Sequence, residues 1–289
     1  PEQYTEQAAF LGASIGRYAN RIANSRFMLN GKTVDVAPSQ GEHQLHGGPE
    51  GFDKRRWSIA SQNESEAVFT LTSPDGDQGY PGELQAKAIY RLTDDNRISI
   101  EYRATVDKAC PVNLTNHVYF NLDGEQTDVR HHTLQLLADD YLPVDENGIP
   151  HDGLKAVANT SFDFRQPKAV AQDFLSDDDQ QKVNGYDHAF LLQAKGDATQ
   201  VVANVWSQDK KLQMAVYTSA PAIQFYSGNF LKGTLSRTSQ PYDTWQGLAL
   251  ESEFLPDTPN HPEWPQPDCV LQPGEEYVSL TEYQFIALS

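Results

Sequence analysis

Residues 84–106 read "LQAKAIYRLTDDNRISIEYRATV". Apolar side chains recur at every second position: Leu84, Ala86, Ala88, Tyr90 and Leu92, then Ile98, Ile100, Tyr102, Ala104 and Val106. The positions between them are mostly Gln, Lys, Arg, Glu, Ser and Thr. A period of two sets one face of a strand in a core and the other in water. With "TDDN" turning the chain back, the segment predicts a long antiparallel hairpin with one buried face.

The same period continues in both directions. Asn30-Gly31 joins "RFML" to "KTVDV" as a two-residue hairpin turn. "VVANVWS" and "KLQMAVYTS" pair across "QDK", and "AVFTLTS", "HTLQLLA", "AIQFY", "GLALESEF" and "YVSLTEYQFIAL" read as further strands. Residues 168–183 hold the one plausible helix. The Pro-rich stretch 256–267, which carries Trp264, reads as an ordered loop. No repeat, low-complexity tract or linker interrupts the pattern. The expectation is one all-β domain over residues 1–289, a large antiparallel sandwich.

The totals narrow the function classes. A chain of 289 residues can bury a sizeable core, and 38% hydrophobic with 21% charged residues fits a soluble globular protein. The net charge of −18 argues against nucleic acid and anionic membrane as partners. It leaves a neutral substrate open. Cys110 and Cys269 form no CxxC motif and read as cytosolic thiols. No run approaches the ~20 apolar residues of a membrane span, and no signal peptide is visible. The expected compartment is the cytoplasm.

Chemistry-bearing residues gather in a few segments. In "NLTNHVYFNL" (113–122), alternation puts Asn113, Thr115, His117, Tyr119 and Asn121 on one polar face. A lone strand histidine is more often bonded to neighbouring amides than catalytic. A polar face turned inward, however, needs partners or a ligand, because buried polar groups cost free energy unless paired. In "GLALESEF", Gly247, Ala249, Glu251 and Glu253 share one face, read either as solvated or as small residues clearing space before an acid. Glu251 and Glu253 invite a glycosidase reading, but two carboxylates on one strand are poorly placed to flank a bond. "GRYANRI" (16–22) offers Arg17, Asn20 and Arg21, and "NGYDHAF" (184–190) offers Asp187 and His188. His43 and His46 in "HQLHGG" are spaced like metal ligands, yet no Cys or HExxH completes a set, so the run reads as a turn and no metal is expected. Walker, GxGxxG and GxSxG motifs are absent from the sequence.

In chain order "GRYANRI", "HQLHGG", "TNHVYFNL", "YLPVDENGIP", "YDHAF", "PAIQFYSGN" and "LESEFLPDTPNHPEWP" resemble the aldose 1-epimerases, most closely the bacterial galactose mutarotases. The resemblance spans nearly the whole chain. It implies a galactose mutarotase-like β-sandwich with a sugar cleft on a concave sheet face, and no cofactor. It implies His117 as general acid and Glu251 as general base, reaching opposite edges of one pyranose. Asn20, Arg21, His46, Asp187 and Gln224 match sugar-binding positions; Arg17 is placed outside the site. Phe225 and Tyr119 are candidates for stacking on the sugar. The implied partner is a free monosaccharide such as galactose or glucose, and the protein is expected to be a monomer or weak homodimer. Family members carry further strands ahead of the position of Pro1, so the domain is expected to lack some N-terminal strands and to leave sheet edges open. The alternatives are a hexose-6-phosphate 1-epimerase, which needs cations for the phosphate, and a non-catalytic carbohydrate-binding protein. For the acid to donate at neutral pH, the site is expected to raise the pKa of His117 from ~6.5.

Overall fold

A computed structural model describes residues 7–289. The hairpin forms as the period of two predicts, with Leu84–Leu92 against Arg97–Val106, Leu84 opposite Val106 and Ala88 opposite Tyr102. Its apolar face enters the core at Leu84, Ala86, Ala88, Ile100, Tyr102, Ala104 and Val106. At the turn end the pattern leaves the core, and Leu92 is 60% exposed.

This hairpin lies within a nine-stranded antiparallel sheet ordered Lys168–Ala169, Thr133–Leu136, Val201–Trp206, Leu212–Thr218, Tyr277–Ala287, Arg97–Val106, Leu84–Leu92, Glu66–Ser73 and Ser58–Gln62. A second sheet has six strands, ordered Tyr119–Phe120, Leu248–Glu253, Ala222–Tyr226, Asp187–Leu192, Ala138–Tyr141 and Lys155–Ala156. The two pack face to face. One apolar cluster takes Leu134, Val205, Val216 and Tyr283 from the first sheet and Ile223, Phe225, Leu248 and Leu250 from the second. The Tyr283 hydroxyl crosses the interface to donate to the Leu250 carbonyl at 3.1 Å. The fold is the large antiparallel sandwich that the sequence predicts.

Short two-stranded ladders close the sandwich. Ser14–Ile15 pairs with Thr115–Asn116, Arg21–Ile22 with Gln44–Leu45, and Cys110–Pro111 with Val270–Leu271. Arg26–Leu29 and Lys32–Asp35 form the Asn30-Gly31 hairpin, both turn residues having positive φ. The helix expected within 168–183 is reduced to Asp178–Lys182, its N-terminus capped by the Asp177 side chain on the Gln180 N–H. The residues before it form a two-residue strand and a single 3-10 turn, because no apolar stripe of helical period supports a longer helix. Trp264 is buried in its Pro-rich loop, and both cysteines are buried free thiols. Among the described residues no helix is long and apolar enough to cross a membrane.

Candidate active site

Residues 113–122 do not form one strand. Thr115–Asn116 pairs with Ser14–Ile15, Tyr119–Phe120 pairs with the strand that carries Glu251, and His117 lies between the two ladders. The His117 N–H donates to the Ala13 carbonyl and its own carbonyl accepts from the Gly12 N–H, both at 2.9 Å. The expected polar face therefore divides. The Asn113 amide bonds Ala19 and Phe254, Thr115 donates to Ser252, and the Asn121 amide donates to Thr127 and Gln246, all on backbone groups. These are polar groups satisfied by the fold, Asn113 and Thr115 buried and Asn121 half-buried. His117 and Tyr119 are the members of that row that line the cleft.

The outer face of the six-stranded sheet supplies the next group. Gln224 stands opposite Glu251, and Asp187 opposite Tyr226, so alternation brings Glu251, Gln224, Tyr226 and Asp187 to one surface. The same alternation turns Phe225 into the core, fully buried against Phe164 and Tyr186, so it is not a sugar platform. Its neighbour Tyr226 lines the cleft instead. Tyr226 was legible two positions beyond Gln224. Phe10, a further wall of the cleft, sits in a loop at φ 55 and had no such signal. Past Glu253 this face is closed by a small apolar cluster of Leu142, Ala189, Ala222, Leu255 and Trp264.

Asn20, Arg21 and His46 come from the ladder of Arg21–Ile22 with Gln44–Leu45. The His46 N–H donates to the Asn20 carbonyl (2.9 Å), and the Asn20 N–H donates to His46 Nδ1 (3.1 Å). Gly47 makes this turn possible: at φ 84, a Cβ there would run into the Gly16 carbonyl. Arg21 donates to Gln40 Oε1 (2.9 Å) and Asn20 Oδ1 (3.3 Å), and its Nη2 lies 3.8 Å from Asp187 Oδ2. Gln224 Nε2 donates to Asp187 Oδ1 at 2.7 Å. Gly148, in "YLPVDENGIP", leaves room for the Arg21 guanidinium, which a Cβ at φ 76 would strike. Arg17 lies elsewhere, buried and donating to Ser73, Pro74 and Pro81.

These elements enclose a cleft of about 680 Å³, a size suited to a small molecule. At its centre His117 Nε2 lies 3.5 Å from Glu251 Oε1. The two groups stand side by side rather than at opposite edges of a ring. The His117 ring stacks on Tyr119 at 5.0 Å and faces Phe10 at 5.9 Å. Among the described residues His117 Nδ1, Glu251 Oε2 and Gln224 Oε1 find no hydrogen-bond partner.

Burial sets the protonation here. It pushes His117 down to about 4, and it pushes Glu251 well up, with the charges of Glu253 and Asp187 adding to the effect. The expectation of a raised His117 pKa is not met, because desolvation outweighs a backbone hydrogen bond that acts the other way. Burial thus favours the neutral form of both side chains.

His43 and His46 do not converge, since His43 Nδ1 accepts from the Asn24 N–H. His46, His117 and Glu251 do bring donor atoms within 4.8 Å of one another. That set does not suit a metal. A backbone N–H can only donate, so His46 Nδ1 supplies the lone pair and Nε2 of the neutral ring carries the hydrogen. His46 presents an N–H to the cleft, which suits a hydroxyl oxygen. Glu253 stays outside the cleft lining, so the two carboxyls do not flank a common substrate bond.

A buried imidazole 3.5 Å from a carboxyl, in a cleft walled by aromatic rings and hydrogen-bonding side chains, suits acid–base chemistry on a small polar substrate. The chain belongs to the aldose 1-epimerase family, whose profile matches residues 1–284. It is 75% identical to the aldose 1-epimerase of Escherichia coli over 287 residues, 99% of this chain and 83% of that protein. It is 39% identical to the galactose mutarotase of Homo sapiens over 289 residues, covering 98% of this chain and 81% of the human protein. The crystal structure of galactose 1-epimerase from Lactobacillus acidophilus superposes with a TM-score of 0.88 at 31% identity, covering 100% of this chain and 83% of the other.

Proposed function

We propose that this protein interconverts the α and β anomers of free hexoses such as D-galactose and D-glucose, with His117 and Glu251 moving the protons. The observation that carries the reading is the 3.5 Å approach of His117 Nε2 to Glu251 Oε1 inside the cleft. The C1 hydroxyl and the ring oxygen share one carbon, so the groups that serve them must stand close together, as these do.

The chemistry balances with one proton on the pair. Hydroxyls of the sugar meet the unpartnered oxygen of Glu251 and Nδ1 of His117, and such bonds favour the charged forms. The proton passes to His117. Glu251 then takes the C1 hydroxyl proton, His117 gives its proton to the ring oxygen, and the C1–O5 bond breaks. The open-chain aldehyde now lies beside a protonated Glu251 and a neutral imidazole, the neutral forms that burial favours. Rotation about C1–C2 turns the other carbonyl face, and the reverse transfers close the ring. Nothing is oxidised, reduced or hydrolysed.

Arg21, Asn20 and the His46 N–H serve as donors to sugar hydroxyls, Asp187 as acceptor, and Gln224 as either. One core cluster shared by both sheets supports a single catalytic domain. Of the cations lining the cleft, Arg21 is engaged by Asp187, and Lys232 is 76% exposed beside Asp243, which gives a phosphorylated sugar little support. A module that only binds sugar would gain nothing from a buried carboxyl and imidazole left short of partners. The test is optical rotation of freshly dissolved α-D-galactose: catalytic amounts of protein speed its approach to anomeric equilibrium. An unchanged rate defeats the proposal.

A further inference from the structure

Glu253 is a carboxyl beside the cleft that this reaction leaves unused. It is 1% exposed, two residues from Glu251 on the same strand face, and opposite Ala222. Packing does not account for it. Its neighbour on that face is the apolar cluster of Leu142, Ala222, Leu255 and Trp264, which an apolar side chain would extend. Burying a carboxyl there is costly, and the cost is only half met. Oε1 accepts from Asn20 Nδ2 at 2.9 Å, while Oε2 has no partner among the described residues.

The single bond has a direction. Because Glu253 takes the Asn20 amide nitrogen, Asn20 Oδ1 is left facing Arg21 Nη1 at 3.3 Å. The same asparagine gives its backbone N–H to His46. Glu253 thus stands at the root of contacts that reach two sugar-binding side chains. We propose that Glu253 is a positioning residue for this reaction: it clamps the Asn20 amide, and with it Arg21, while its charge borders Glu251 from behind. The inference rests on the anomer-interconversion reading above.

The charge has a specific consequence. Around the two glutamates stand Asp187 on the adjoining strand, Arg21 and His46 on the ladder, and His117. The phenols of Tyr119, Tyr226 and Tyr283 border Glu251, and those of Tyr18 and Tyr277 border Glu253; burial raises all five, so they stay neutral. Burial raises Glu253 to about 8. Once ionised it helps Glu251 keep its proton. Activity needs that proton on the pair, so the Glu253 carboxylate extends the working range toward alkaline pH.

The experiment measures kcat, KM and the pH profile of galactose mutarotation for wild type, E253Q and E253L. E253L, which cannot hold Asn20, raises KM about two- to ten-fold near neutral pH, the scale of a hydrogen bond to a neutral group. E253Q can still accept from Asn20 and restores KM, but the alkaline limb of its kcat/KM profile falls about one unit lower. A wild-type KM in E253L, or an unmoved alkaline limb in folded E253Q, overturns the role of Glu253 alone. A wild type that does not speed mutarotation overturns the underlying reading as well. Where E253Q does not fold, the carboxyl ¹³C resonance of Glu253 is titrated in wild type. The ¹³C resonance of Glu251 is followed in the wild-type titration as well: the proposal requires Glu251 to lose its proton only above the Glu253 step, and a Glu251 that ionises first refutes it.

Discussion

The two sheets handle their polar residues in opposite ways. The nine-stranded sheet keeps its charges on the solvent face. Arg103 bridges Glu101 and Glu276, Arg91 bridges Glu66 and Glu101, and Arg97 bridges Asp95 and Glu282. These ions retain much of their hydration, and such pairs add little to stability. The six-stranded sheet is buried on both faces along Ala222–Tyr226 and Leu248–Glu253. One face packs on the core; the other carries Gln224, Glu251 and Glu253, with several oxygens short of partners. The first sheet gives its outer face to water, whereas the second gives its outer face to the cleft. Buried groups with displaced pKa values and missing partners mark the functional face.

That contrast is broken most severely at its centre. E251Q and H117N are each expected to lower turnover by about 10²–10⁴-fold while the protein stays folded. Polarimetry with circular dichroism on the same samples checks this, and near-normal rates in both variants contradict the assignment. The next effect concerns pH. With His117 at about 4, the acid limb of kcat/KM in the free enzyme falls near pH 4 rather than near 6.5. A limb between 6 and 7 would mean that solvation, not burial, governs the imidazole.

A smaller effect appears in stability. Glu253 is raised to about 8 in the folded protein, against ~4.3 for an ordinary glutamate. Its protonated form is the one the fold tolerates. Its contribution is therefore intact at low pH and is lost as pH rises from about 4.3 to 8. E253Q removes that loss, so its melting temperature should exceed wild type by a margin that widens between pH 5 and pH 8. A constant margin counts against the carboxyl being strained. The smallest change belongs to the solvated sheet. R103A, at a side chain 40% exposed, should cost no more than ~1 kcal/mol by denaturant titration and leave turnover alone.

Legibility in the sequence follows the same division. The solvated sheet alternates apolar and charged residues, so period-two reading recovers the 84–106 hairpin and its buried face. The buried sheet offers weaker contrast. "AIQFY" is buried at every position, so the pattern alone does not separate Phe225, which packs in the core, from Tyr226, which lines the cleft. The acid, the base and the binding residues were assigned by resemblance, and the structure gathers His117, Glu251, Asn20, Arg21, His46 and Asp187 around one cleft. Gln224 reaches that group through its bond to Asp187. The break at His117 was not legible, because "TNHVYFNL" alternates cleanly across it. The ladder is broken by partners from residues 12–15, distant in sequence. Protonation was also hidden, since desolvation is not written in residue order.

The break has a mechanical meaning. Glu251 rides on an interior strand braced on both sides, whereas His117 is slung from a short segment at Gly12 and Ala13. A shift of that sling would move one end of the proposed proton relay and leave the other fixed. The gap between them can thus be retuned by substitutions at residues 12–15, outside the six-stranded sheet, without changing the strand that anchors Glu251.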